Sequence, residues 1–368
     1  MDVWDSKVSH ITDAHVHMWD LPMEQTLMEI REATGTDRIN LVSIQFPETG
    51  KGLPEACYMK AKYPGTFYVF AGLNHAMKIT DGAVQTKTLA EQVDDFVALG
   101  CEGIKMIEGK PAMRRDLNVP MDSDYFADYW ARVDEVGLPI TWHVADPEEF
   151  WEPALLPAWA QEKGWGYGPD MVGKEQLYSE VDHVLARHPN LKIIFAHFYF
   201  LSADLPRASR FLEAHPYVHI DLTPGIEMLY NMSHDVDATR DFFITWADRI
   251  VYGTDIMPDI TVEEARLRAG IVHRWLESDD TYRIPETVDM LLGKPEDGVI
   301  RGLSLPDDVL QRIYRDNFAR LAGAAPKPLN RGKAIATCHD VAAIAEAMSG
   351  APAAESDALQ VAGMLEQL

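Results

Sequence analysis

Residues 11–17 read ITDAHVH, a short β-rich run carrying two histidines two positions apart. Seven runs of similar character follow: RINLVSIQF (38–46), TFYVFAGL (66–73), CEGIKMI (101–107), LPITWHV (138–144), LKIIFAHF (191–198), YVHIDLT (217–223) and RIVYGTD (249–255). Their interiors are apolar at successive positions, as strands covered on both faces require. Between them lie segments with helical spacing and readable ends. TKTLAEQVDDFVALG stops at Gly100, DSDYFADYWARVDEVG stops at Gly137, and two more helical patterns end at His-Pro, where proline blocks continuation. The helix TVEEARLRAGIVHRWLES (261–278) follows the last run. Alternation of this kind predicts parallel strand–helix units, and eight strands close a (β/α)8 TIM barrel of the α/β class.

Two stretches stand outside the alternation. Residues 145–173 form a long segment after the fifth strand that holds Trp151, Trp159, Trp165 and Tyr167. Loops of that length are functional or disordered, and the bulky aromatics argue against disorder. LPDDVLQRIYRDNFARLAG (305–323) reads as a capped helix closing the domain, and an Ala-rich stretch follows. The expected division is a barrel over residues 1–323 and a C-terminal helical extension over 324–368. Two readings of the extension stay open: a helical pair packed on the barrel or on a partner subunit, and a flexible tail.

Composition narrows the function classes. The chain has 58 acidic against 33 basic residues, net −25, which repels phosphate backbones. Nucleic acid and anionic membranes are therefore excluded as expected partners, which leaves a small-molecule substrate, with a homodimer also considered. Cys57, Cys101 and Cys338 are odd in number and scattered, the usage of a reducing compartment. No basic segment precedes an apolar run at the start, and LKIIFAHFYFL (191–201) is too short to span a bilayer. The expected location is the cytoplasm.

Side chains two apart on a strand share a face, so His15 and His17 can grip one metal ion, with Ala14 and Val16 expected to face the helices. Alone, His-x-His is a weak signal. Three more polar residues fall at the same structural position: His143 ends the fifth strand, His197 the sixth and Asp255 the eighth. Barrels of this architecture work at the C-terminal ends of their strands. Imidazole and carboxylate suit zinc, manganese or iron, with a position left for water or substrate. Among the other histidines, His75 is a candidate for the barrel mouth and His219 reads as structural. His183, His188, His215 and His273 read as helix-capping or surface residues.

The motifs TDAHVH, GIKMIEG, TWHVAD, IIFAHF and VYGTD, in this order and closed by IYRDNFARL, resemble the amidohydrolase superfamily. They are most similar to its amidohydrolase-related branch, which contains enzymes like aminocarboxymuconate-semialdehyde decarboxylase. The resemblance covers roughly residues 10–323. It implies that His15, His17, His143 and Asp255 ligate metal, that Asp255 also shuttles protons, and that His197 handles a proton or the substrate. Lys105 matches the position where two-metal members carry a carboxylated lysine. The branch implies one ion, most readily Zn2+ with Mn2+ or Fe2+ as alternatives, and an unmodified Lys105 that binds a substrate anion. An ion pair between Lys105 and Glu108 is the third reading.

In the loop GKPAMRRD (109–116), Lys110, Arg114 and Arg115 offer a further cationic site for an anionic substrate. Trp142, Trp151, Trp165 and Phe198 suggest a ring-bearing one. The expected activity is metal-dependent hydrolysis of an amide, ester or lactone. Non-oxidative decarboxylation is the alternative, and a non-catalytic barrel serving binding or assembly is the third possibility.

Overall fold

The computed structural model describes residues 4–156, 158–162, 164–224, 227–284, 298–353 and 356–368, without the side chain of Trp159. Eight strands run in sequence order: β1 (Ile11–Val16), β2 (Thr36–Val42), β3 (Phe67–Gly72), β4 (Gly103–Gly109), β5 (Ile140–Val144), β6 (Ile193–Phe195), β7 (Val218–Asp221) and β8 (Ile250–Val251). Each pairs parallel with the next. The last strand returns to the first: the amides of Ala14 and His17 donate to the carbonyls of Tyr252 and Ile256, both at 3.0 Å, and Asp255 N donates to His15 O at 2.8 Å. The barrel is closed, and its helices lie outside.

The cause of the helix ends is local. Thr88 Oγ1 accepts from Glu91 N while the Glu91 carboxylate accepts from Thr88 N, and that reciprocal cap starts Leu89–Leu99. The helix stops at Gly100, whose φ of 87° suits glycine, and a Cβ there would lie 2.4 Å from the carbonyl oxygen of Pro328.

Inside the barrel, Ala14, Val42, Tyr68, Phe70, Ile194 and Val251 form a compact cluster completed by Phe318 and Ala322 from the helix Asn317–Ala322. Phe318 meets Tyr68 edge-on at 5.2 Å and stacks on Phe70 at 5.7 Å. Ala14 was expected to face the helices and instead joins this inner cluster. Strand β1 shifts register against β2 between Asp13 and Val16, so the strict two-residue alternation fails there.

Two strands are shorter than their apolar runs. After β6 the chain turns through His197, Phe198, Tyr199 and Phe200, all with φ between 49° and 57°. Left-handed backbone costs about 1–2 kcal/mol per residue, so neighbouring structure must hold this turn. After β8, Tyr252 N donates to Ile313 O at 3.0 Å. That carbonyl lies in a π turn over Arg312–Asp316, between the helices Asp307–Gln311 and Asn317–Ala322.

Residues Arg331–Ser349 and Asp357–Gln367 are helices that pack on each other and against the helices Leu53–Lys62 and Leu89–Leu99. Ala334, Cys338, Val341, Val361 and Leu365 are buried there. Lys51 pairs with Asp357 at 3.0 Å and Lys333 with Asp95 at 2.7 Å. Among the described residues, no helix is long and apolar enough to cross a membrane.

Candidate metal centre

Strand β1 delivers His15 and His17 to the C-terminal mouth, and the turn after β8 delivers Asp255, itself left-handed at φ 54°. One ligand atom from each lies within 4.8 Å of the others. His17 Nε2 is 3.0 Å and His15 Nε2 3.4 Å from Asp255 Oδ1. Behind them, His15 Nδ1 donates to Asp221 Oδ2 at 2.8 Å and His17 Nδ1 donates to the carbonyl of Val42 at 2.9 Å. A carbonyl can only accept, so Nδ1 of His17 carries a proton and its Nε2 faces inward. Gly253 leaves room for this packing, since a Cβ there would lie 2.9 Å from that of His15.

Electrostatics favour ligand-ready forms. Burial, reinforced by the Lys105 charge, pulls His15 down to about 4, so its imidazole is neutral. Burial pushes the Asp255 carboxyl up, but His17, His15 and His197 around it outweigh that and hold it well below the ordinary carboxylate range. The ammonium of Lys105 is drawn down to about 8 by burial, against the attraction of Asp255, Asp221 and Glu108. Its Nζ lies 3.0 Å from His15 Nε2. The neutral His15 imidazole, the inward Nε2 of His17 and the ionised Asp255 carboxylate fit a divalent ion of the zinc type.

His197 stands beside this triad. Its Nε2 is 4.0 Å from Asp255 Oδ2, and burial, with His143 next to it, lowers it to about 3. His143 packs its ring on that of His197 at 4.8 Å. Its Nε2, however, lies 2.9 Å from Ala145 O and 3.2 Å from Asp146 Oδ1, outside the converging set.

All five residues line a cavity of about 290 Å³ together with Lys105, Lys110, Asp146, Asp259 and Arg268. Trp19, Phe150, Trp165 and Phe200 supply aromatic wall. The family model for amidohydrolases matches residues 86–323. The chain belongs to the amidohydrolase family. The matched span begins after β3, so His15 and His17 lie ahead of it.

Solved structures are similar to the chain at low identity. An amidohydrolase from Burkholderia multivorans with bound zinc is 14% identical, with TM-score 0.50, 86% of this chain and 100% of that one covered. For 2,6-dihydroxybenzoate decarboxylase from Rhizobium the values are 15%, 0.49, 85% and 98%. For 5-carboxyvanillate decarboxylase from Sphingomonas paucimobilis they are 12%, 0.48, 86% and 99%. No curated protein matches the chain.

Several expected contacts of this amidohydrolase fall elsewhere. Trp142 does not line the cavity: the alternation that turns His143 inward turns its neighbour outward, where it packs on Trp130 at 4.9 Å and stacks on Phe195 at 5.6 Å. Trp151 packs on Tyr167 at 4.8 Å and also lies outside the lining. Arg114 forks onto Glu180 at 3.2 and 3.1 Å, and Arg115 is exposed beside Asp116. The loop that carries them folds into the helix Pro111–Leu117, which points both away from the mouth and leaves Lys110 there. Phe198 turns to Phe242 and Phe243. Glu108 meets His75 Nε2 at 2.7 Å rather than Lys105, which keeps both behind the cavity wall. His273, expected at a surface, is buried between Tyr252 and Tyr314.

Sequence reasoning missed Asp146, Asp221, Thr223 and Arg268. Asp221 ends β7, where the rule used for the other strands would have found it. Arg268 sits inside the helix Val262–Glu277, where no strand-end signal exists.

Proposed function

We propose that this amidohydrolase is a metal-dependent hydrolase that opens an amide, ester or lactone bond of a small, anionic, ring-bearing molecule. The convergence of His15 Nε2 and His17 Nε2 on Asp255 carries the reading. These three residues would hold one divalent ion, zinc by donor type, and His143 would join as a fourth ligand once its Nε2 leaves Ala145 O and Asp146. Such an ion supplies Lewis acidity and brings the ionisation of water toward neutral pH.

The protein groups then do the following. Asp255, ionised and facing His197 through Oδ2, accepts the proton of the attacking water and returns it to the leaving group. His197 orients the substrate through its inward Nε2. Lys105 and Arg268 give anionic substituents two places to rest, while Trp19, Phe150, Trp165 and Phe200 exclude water around an apolar ring. Three buried free cysteines fit a reducing compartment.

One observation favours a second reading. The ammonium of Lys105, 3.0 Å from His15 Nε2, suits a carboxylate held beside the ion, the arrangement for non-oxidative decarboxylation.

Elemental analysis of protein purified without chelators, followed by assays of lactone, ester and amide cleavage and of carbon dioxide release, tests both. About one ion per chain with bond cleavage and no gas supports hydrolysis. Gas release transfers the assignment to decarboxylation. About two ions per chain point to a carboxylated Lys105, and no metal after zinc or manganese loading sinks the catalytic reading.

A further inference from the structure

Asp221, at the end of β7, is fully buried and makes no contact with the cavity, yet it touches both sides of the centre. Its Oδ2 accepts from His15 Nδ1 at 2.8 Å. Its Oδ1 accepts from His197 N at 2.8 Å, Thr223 N at 3.1 Å and Thr223 Oγ1 at 2.5 Å. Thr223 Oγ1 has one hydrogen, and the 2.5 Å approach to a carboxylate oxygen requires it there. Toward His197 Nδ1, 3.1 Å away, the same hydroxyl can then only accept. The proton of His197 is therefore on Nδ1. His15 is fixed independently: Asp221 receives its Nδ1–H, and Lys105, which has only donors, faces its Nε2.

We propose that Asp221 is a positioning residue whose two oxygens set the tautomers of His15 and His197 together, turning both Nε2 lone pairs toward Asp255. A carboxylate is needed because both ends must accept. An amide has one accepting end and one donating end, so the substitution Asp221→Asn would confront either His15 Nδ1–H or the Thr223 and His197 donors with a donor of its own. The same carboxylate holds the left-handed turn at His197, linking backbone shape to ring chemistry. His17 relies on the Val42 carbonyl and serves as an internal control.

The test uses the full-length chain, labelled with 15N-histidine and free of metal, and compares wild type, Asp221→Asn and Thr223→Val. In wild type, His15, His17 and His197 should all carry the proton on Nδ1. Asp221→Asn should move it to Nε2 on His15 or His197 while His17 stays unchanged. Zinc affinity, measured by chelator competition, should then fall about 10–100-fold. Thr223→Val should alter His197 alone and leave zinc affinity unchanged. Wild-type tautomers and affinity in Asp221→Asn overturn the proposal, as does Nε2–H on His15 in the wild type. If Asp221→Asn fails to fold, the His197 tautomer in Thr223→Val decides. The affinity arm rests on the metal reading proposed above. A wild type that binds no zinc defeats that reading, while the tautomer arm still judges Asp221.

Discussion

The two sides of the barrel mouth treat the same residue types in opposite ways. On the side built from β1, β7 and β8, two imidazoles converge on a carboxylate at 3.0 and 3.4 Å, each imidazole backed by a partner behind it. On the side built from β4 and β5, comparable groups satisfy themselves. His143 turns to Ala145 and Asp146, Lys110 donates to both oxygens of Asp146 at 2.9 and 3.0 Å, and Tyr167 closes onto the same carboxylate. Strand-end position brings a side chain to the mouth, but the neighbour behind it decides whether its lone pair is offered to a ligand or spent on the fold.

That contrast can be broken in three ways. The largest effect is expected for Asp255→Ala, which removes the acceptor on which the β1 imidazoles converge: turnover should fall about 10³-fold or more, and zinc should no longer co-purify. Retained metal by elemental analysis would show that the converging side is not the binding side. Next comes Asp146→Ala. It leaves Lys110, Tyr167 and the segment after β5 without their shared partner, so urea unfolding should show a loss of about 3 kcal/mol, with zinc affinity undiminished.

The pH dependence has a definite sign. Burial raises the Asp146 carboxyl, but Lys110, His143 and Tyr167 outweigh it and hold the group below the ordinary carboxylate range. Its folded value is thus below its unfolded value, so the stabilisation is complete above the unfolded value of about 4 and is lost as pH falls below it. The gap between wild type and Asp146→Ala should narrow in acid. The smallest effect is expected for His143→Ala, which should weaken zinc about tenfold, because this ring must give up two hydrogen bonds before it can ligate. A loss equal to that of Asp255→Ala would put both sides of the mouth on the same footing.

The barrel was legible because buried parallel strands leave continuous apolar runs, and the convergence of His15, His17 and Asp255 because all three fall at strand ends on the mouth side. Where the reading missed, local geometry overrode periodicity. Ala14 turned inward at a register shift, and the sixth apolar run became a left-handed turn held by Asp221, a partner 24 residues away from His197. Trp142 shows the reverse error: period-two alternation already placed it outside once His143 was inside. Arg268 reaches the cavity from a helix, and only the packing of that helix against the helix Met23–Ala33 and against Ile256 reveals it.

Thr254 and Asp13, which lock the two edges of the barrel together, are separated by 241 positions, and the inner cluster is completed only by Phe318. A ribosome must therefore make most of the protein before His15 and His17 meet Asp255. The emerging N-terminal half has an unpaired strand edge and no assembled donor set. Assembly of the donor set therefore follows synthesis of the eighth strand, and the onset of chelation resistance of added zinc would time that step.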